Sequence, residues 1–210
     1  MTGVYKLYGR PGSGSSACEA VLAIGGFAHE IIDLERWGEG GAPAELLAVN
    51  PLGQVPTLVL PDGGVMTESS AIILYLADLA PEAKLAPPMA HPLRGRYLRW
   101  MAYLAANSYM TALRFYYPER FTSDSSGGEA VKLAAVERAA LEWCVFSDAL
   151  AKGPFILGRE MCAADLYAAM LLSWDLDMDA LFKRHPNLQN LYEMAALHPG
   201  VAPVWQRHGV

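Results

Sequence analysis

Cysteine is scarce in this chain: three residues in 210 (Cys18, Cys144 and Cys162), odd in number, far apart and without a C-x-x-C pair. That pattern excludes a disulfide framework, a cysteine zinc site and a dithiol redox motif. The five histidines are scattered without metal-ligand spacing, so no metal is expected. Charge is thin as well, at 18% of residues, and the net value of −6 comes with no basic cluster, so nucleic acid is not an expected partner. No uncharged apolar run is long enough to span a bilayer, and the opening "MTGVYKLYGRPG" has no signal-peptide apolar region. What is present is a chain that is 53% hydrophobic, enough for a substantial core. These bounds predict a soluble, cytoplasmic protein of one large domain or two small ones.

The first eighty residues alternate strand and helix signals. "VYKLY" (4–8) and "HEIIDLE" read as strands, "ACEAVLAIGG" as a helix ended by Gly25 and Gly26, and "APAELLAVN" as a short helix. "TLVLPDGGVMT" reads as a β-hairpin around Asp62-Gly63-Gly64, and "SAIILYLADLA" as a helix stopped by Pro81. The order is βαβαββα, which implies a parallel strand pair joined by an antiparallel hairpin, a four-stranded mixed sheet. The segment 81–92, "PEAKLAPPMAHP", holds four prolines and reads as a linker. Three parts are therefore expected: an α/β domain over 1–80, the linker 81–92, and an all-α helical domain over 93–210. In the last, a long helix is expected from Leu93 to about Phe121, with a bend near Pro118, and a second ending at Gly153. "CAADLYAAMLLSW" is apolar on nearly every side and should be the buried central helix.

The stretch "NPLGQVPTLVLPDGGVMTES" (50–69) sets a proline before a strand and an acid and a hydroxyl at the next helix start. A cis peptide before Pro56 would leave the Val55 backbone facing outward as an unpaired sheet edge able to accept an extended peptide. A trans proline at a strand's first position fits the same residues. Ser69 stands where an N-cap is wanted. With Glu68 beside it, the same helix tip can hold a zwitterionic amino-acid head, carboxylate on Ser69 and ammonium on Glu68.

As a set, asparagine-proline, glycine-glutamine-valine-proline and glutamate-serine in "NPLGQVPTLVLPDGGVMTESSAIILYLADL" resemble the glutathione-binding half of the cytosolic glutathione transferases. The two-part organisation matches that family over the whole chain. The resemblance implies a thioredoxin-like first domain and an all-helical second domain. It implies glutathione as co-substrate, with no permanently bound cofactor, and a homodimer. By the same resemblance Pro56 is a cis proline and Val55 pairs its backbone with the cysteinyl part of glutathione. Glu68 and Ser69 hold the γ-glutamyl end, while Gln54 and Arg36 or Trp37 lie towards the glycine end.

A free thiol with a pKa near 8.5 is mostly protonated at neutral pH, so the chemistry needs a donor aimed at sulfur. The loop "RPGSGSSACE" is where family members carry it. The chain aligns without gaps to the bacterial beta-class pattern, but Gly14 stands where that class has its cysteine, which argues against mixed-disulfide chemistry. Ser15, then Ser13, are the candidate catalytic hydroxyls, and backbone N–H groups of the loop can share the work. Ser16 and Glu19 form an S-x-x-E pair expected to cap the helix. Tyr8 lies too early, and Cys18 is expected in the core.

"FILGREMCAADLYAAM" also resembles the family, with Cys162 in place of its usual serine or threonine cap and Asp165 bonding back, a folding role. In "YLAANSYMTALRFYYPERF", helical spacing nominates Tyr103, Asn107, Met110, Arg114 and Tyr117 as a wall for a flat apolar electrophile. The expected activity is glutathione transfer to such an electrophile. A glutathione-dependent reductase, dehalogenase, isomerase or lyase, and a non-catalytic glutathione-binding scaffold, are the alternatives.

Overall fold

The computed structural model describes residues 3–38, 40–150 and 153–209. The chain divides into two compact units, Met1–His91 with Ala195–Val210, and Pro92–Met194. The expected βαβαββα order is found in the first: β1 (Tyr5–Gly9), α1 (Ser15–Ile24), β2 (His29–Asp33), α2 (Ala44–Val49), β3 (Thr57–Val59), β4 (Val65–Met66) and α3 (Ser69–Leu79). The sheet order is β2-β1-β3-β4. β1 runs parallel to β2 and antiparallel to β3, with Tyr8 opposite Thr57. Alternation along β1 sends Tyr5, Leu7 and Gly9 inward. Leu7 and Leu58 meet Val21, Leu22, Ile72, Ile73 and Leu76, all fully buried, to form the core of this unit.

Two helix starts differ from expectation. α1 begins at Ser15 with Gly14 at the N-cap and no side-chain cap, so Ser16 and Glu19 do not form the expected box. α3 begins at Ser69, and the N-cap is Glu68. The tail also departs: residues 195–210, expected with the helical part, cluster with the first unit. The reason is a charge network around the buried Glu19. Helix α10 (Ala202–His208) brings Arg207 onto Glu19 of α1, with its Nε 2.9 Å from Oε1, and onto Asp33 at the end of β2 at 2.7 Å.

The second unit is helical. Its elements are α4 (Arg94–Tyr103), a π-helical turn (Leu104–Tyr109), α5 (Met110–Tyr116), α6 (Gly128–Ala149), α7 (Ala163–Leu172), α8 (Met178–Arg184) and most of α9 (Pro186–Ala196). The helix expected to run to about Phe121 stops at Tyr116. Pro118 opens a 3₁₀ turn there, because proline lacks an N–H and clashes with the preceding turn. α6 ends at Ala149; residues 151 and 152 of its expected end lie outside the described residues. α7 is buried at all ten positions, as its apolar sequence requires. Around it Trp100 meets Phe146 edge-on at 5.0 Å and Tyr109 meets Trp174 at 5.3 Å.

α7 starts with the box expected of Cys162 and Asp165. Asp165 accepts from the Cys162 N–H at 2.9 Å, the Cys162 thiol at 3.1 Å and the Ile156 N–H at 2.8 Å. Burial raises its pKa to about 6, against the opposing pull of those hydrogen bonds. A carboxyl that holds its proton more tightly when folded stabilises most below its unfolded pKa, and that contribution fades as pH rises through about 6. Asp165→Asn keeps one acceptor but faces the Cys162 N–H with a donor, at a cost of about 1–3 kcal/mol. Urea unfolding at pH 4 and pH 7 should show the wild-type advantage over Asp165→Asn shrinking by roughly 2 kcal/mol at the higher pH; a constant gap would contradict this account.

Candidate functional site

Three segments of the first unit converge at one end of its sheet. Tyr8 of β1 lies opposite Thr57 of β3, so the loop leaving β1 and the loop entering β3 emerge side by side. The thiol of Cys18 donates to the Ser69 carbonyl at 3.6 Å, which sets the first turn of α3 against that of α1. Burial of Cys18 pushes its pKa far up, so it is a core thiol.

The loop before β3 is tied by side chains. Asn50 Nδ2 donates to the Gln54 carbonyl and to Thr57 Oγ1, both at 3.0 Å, and Thr57 Oγ1 donates to the same carbonyl at 2.9 Å. Gly53 adopts φ +59°, and a Cβ there would fall 2.6 Å from that of Ala42. The Val55–Pro56 peptide is cis. Among the described residues, nothing pairs with the main-chain N–H or C=O of Val55, which is half-buried. At the α3 tip Glu68 is exposed, with φ +65° and ψ 105°, a conformation that costs a non-glycine residue about 1–3 kcal/mol. Ser69 beside it is 7% exposed. Gln54 and Arg36 are exposed and Trp37 is half-buried.

In the loop after β1, both candidate hydroxyls turn onto the Arg10 peptide. Ser13 Oγ donates to the Arg10 carbonyl at 2.7 Å. Ser15 Oγ accepts from the Arg10 N–H at 3.2 Å and lies 2.9 Å from Ser13 Oγ. Ser15 is fully buried and Ser13 is 6% exposed. Gly9 permits this: a Cβ there would sit 2.7 Å from Ser15 Oγ. Among the described residues, nothing accepts from the Gly14 N–H at the head of α1.

Glutathione S-transferase N-terminal domains match this chain over residues 15–79, the span from α1 to α3. An uncharacterized GST-like protein, YncG, of Escherichia coli K12 is 30% identical across 98% of both chains. The chain belongs to the glutathione S-transferase family. The transferase GstA of Escherichia coli O157:H7 is 32% identical over 80% of this chain and 81% of its own. A sphingomonad glutathione S-transferase, solved in complex with glutathione, is 27% identical, with a TM-score of 0.81 over 98% of this chain and 99% of that one.

In this chain the expected electrophile residues do not share one surface. Tyr103 donates to the Glu142 carbonyl at 3.0 Å, Asn107 Oδ1 accepts from Arg138 at 3.4 Å, and Thr111 donates to Glu142 at 3.1 Å. The row 103, 107, 111 therefore faces α6. Arg114 falls outside it, over the Phe121 ring at 5.3 Å, and Arg120 lies over Tyr117 at 4.1 Å. The π turn is the cause: its extra residue shifts the phase of a row extrapolated at 3.6 residues per turn. Among the described residues no group of His, Cys, Asp and Glu is placed to hold a metal ion, and no helix is long and apolar enough to cross a membrane.

Sequence reasoning missed Arg10 and His208. Arg10 carries the peptide that both serines hold, and its guanidinium lies 5.8 Å from the Trp37 ring centre. His208 accepts the Gly12 N–H at Nδ1 (3.2 Å), so its proton sits on Nε2 and points at Glu19 Oε2 (3.0 Å). Nothing local in "WQRHG" signals a partner so distant in the chain. Burial pushes the Glu19 carboxyl up, but hydrogen bonds from His208 and Arg207 outweigh it and hold its pKa below the usual value. Such a group stabilises above its unfolded pKa and loses that contribution as pH falls through the folded one. Glu19→Gln should cost about 2 kcal/mol at pH 7, with the difference from wild type closing in acid below the ordinary glutamate range. Chemical denaturation across pH checks this, and a gap that persists in acid would refute it.

Proposed function

We propose that this chain lays glutathione along the edge that begins at Val55 and activates its thiol for attack on a small apolar electrophile. The observation that carries the reading is the Val55 main chain, held beside a cis peptide with both polar groups unpartnered among the described residues. An extended peptide satisfies such an edge with main-chain hydrogen bonds. The strained Glu68 and the adjoining start of α3 offer an acid and helix N–H groups to the γ-glutamyl head, with Ser69 on its carboxylate. Gln54 and Arg36 serve the glycine end. The sphingomonad relative with bound glutathione supports the same reading.

For the thiol, the reading assigns the amino end of α1: the Gly14 N–H, with Ser13, the less buried of the two hydroxyls. Ser15, fully buried and bonded to Arg10, is assigned to building the loop. A helix end and one hydroxyl lower a thiol pKa by about one to two units, enough to populate thiolate near neutral pH. Met110, Arg114 and Tyr117 remain the residues proposed for the electrophile, since the Tyr103 hydroxyl and Asn107 Oδ1 are committed to α6 and Asn107 Nδ2 to the Tyr103 carbonyl. A cytoplasmic homodimer with a detoxifying role completes the proposal.

Calorimetry with glutathione should show Ser69→Ala binding tenfold or more weakly, about 1.4 kcal/mol, with the circular dichroism unchanged. Unaltered affinity would remove the glutathione assignment. In turnover of an aryl halide, Ser13→Ala should lower kcat more than glutathione affinity, whereas Ser15→Ala should mainly lower Tm. A Ser15→Ala protein with normal Tm and depressed kcat would reverse the two roles.

A further inference from the structure

The helical unit contains a half-open cavity of about 200 Å³ lined by the π turn, α5, α6, the end of α7, the loop after it and α8. A closed apolar cavity of about 150 Å³ is enough to take up benzene. Its walls are mainly apolar and aromatic, with Phe115, Trp143, Leu171 and Trp174 among them. Among the polar side chains that interrupt them, two are buried and carry an unpartnered oxygen. Glu142, on α6, is only 2% exposed. Its Oε1 accepts from Thr111 at 3.1 Å and from Arg138 at 2.8 Å, while Oε2 has no hydrogen-bond partner among the described residues. Ser108 is 7% exposed, and its Oγ is equally unpartnered.

A buried carboxylate oxygen without a donor is costly, and native proteins carry few such groups without a use for them. Ser108 lies on the π turn, a distortion of the helical ladder that recurs at functional sites. The charges around the cavity still favour a cation: Glu142, Asp175 and Asp177 against Arg184 and the Arg138 paired with Glu142. Indole faces favour the same sign of ligand. An anion would meet three carboxylates, and a plain hydrocarbon would leave Glu142 Oε2 without a donor.

We propose that this cavity is a second ligand site, taking a small aromatic ring with a short arm ending in a protonated amine. The ring lies among Phe115, Trp143 and Trp174, and the ammonium donates to Glu142 Oε2 and Ser108 Oγ. All the lining residues belong to the helical unit, so the proposal does not depend on the glutathione reading.

Wild-type protein titrated with 2-phenylethylamine at pH 7, followed by tryptophan fluorescence and calorimetry, tests it. The expected result is saturable binding with a dissociation constant below about 1 mM. Binding of the neutral isostere 2-phenylethanol should be at least tenfold weaker, and the anion 3-phenylpropanoate should not bind. Glu142→Gln should reduce amine affinity tenfold or more, and Ala139→Phe, which fills the cavity from α6, should abolish it. Absence of saturation, or equal binding of the three probes by wild type, overturns the proposal without any variant. A folded Ala139→Phe protein with unchanged affinity also overturns it, because the amine would then sit elsewhere.

Discussion

The placement of β1 is the constraint on which the functional edge depends. It is the inner strand that pairs in both senses, parallel to β2 and antiparallel to β3. A parallel neighbour needs a helical crossover, so the loop into α1 must leave from the carboxyl end of β1. The antiparallel neighbour starts at that same end. The Arg10–Gly14 loop and the Gly53–Pro56 loop are thereby side by side before any loop side chain is chosen. Loop chemistry then refines the arrangement: Asn50 and Thr57 hold the Gln54 carbonyl, and Ser13 and Ser15 hold the Arg10 peptide.

Three buried acids show how one chemical group is put to different uses. Asp165 is consumed by the start of α7 and accepts from two backbone N–H groups and a thiol. Glu19 is consumed by α10, with Arg207 and His208 as its partners, and ties the chain's tail to the loop at Gly12. Glu142 is only half consumed. Burial alone would mark all three as candidates for chemistry; what separates them is whether both carboxylate oxygens have donors. That criterion is physical, since desolvating a carboxylate oxygen is tolerable only when hydrogen bonds replace the lost water.

The π turn at Leu104–Tyr109 links two observations in the helical unit. It turns Tyr103, Asn107 and Thr111 onto α6, and it sets Ser108 against the cavity. A regular α-helix would distribute these residues differently around its axis. One inserted residue thus changes which side chains form the hairpin contact and which line a space.

Much of this protein was determined by its sequence alone. The βαβαββα order, the cap at Cys162 and Asp165 and the fully buried α7 follow from apolar period and from hydrogen bonds between residues near in the chain. The tie from Asn50 to Thr57 belongs to the same class, because the groups that make it lie within eight residues of one another. Other features were decided only by tertiary structure. The inward turn of Ser15, the loss of the Ser16–Glu19 cap, the helical phase beyond Tyr103 and the place of the tail all depend on distant partners. Glu19 and Arg207 are 188 residues apart in sequence, and a carboxylate that a local rule assigns to a helix cap goes instead to the guanidinium that folding delivers. A charge-assisted, bidentate pair outweighs a single hydrogen bond to a backbone N–H, and no local pattern records that the stronger partner will arrive.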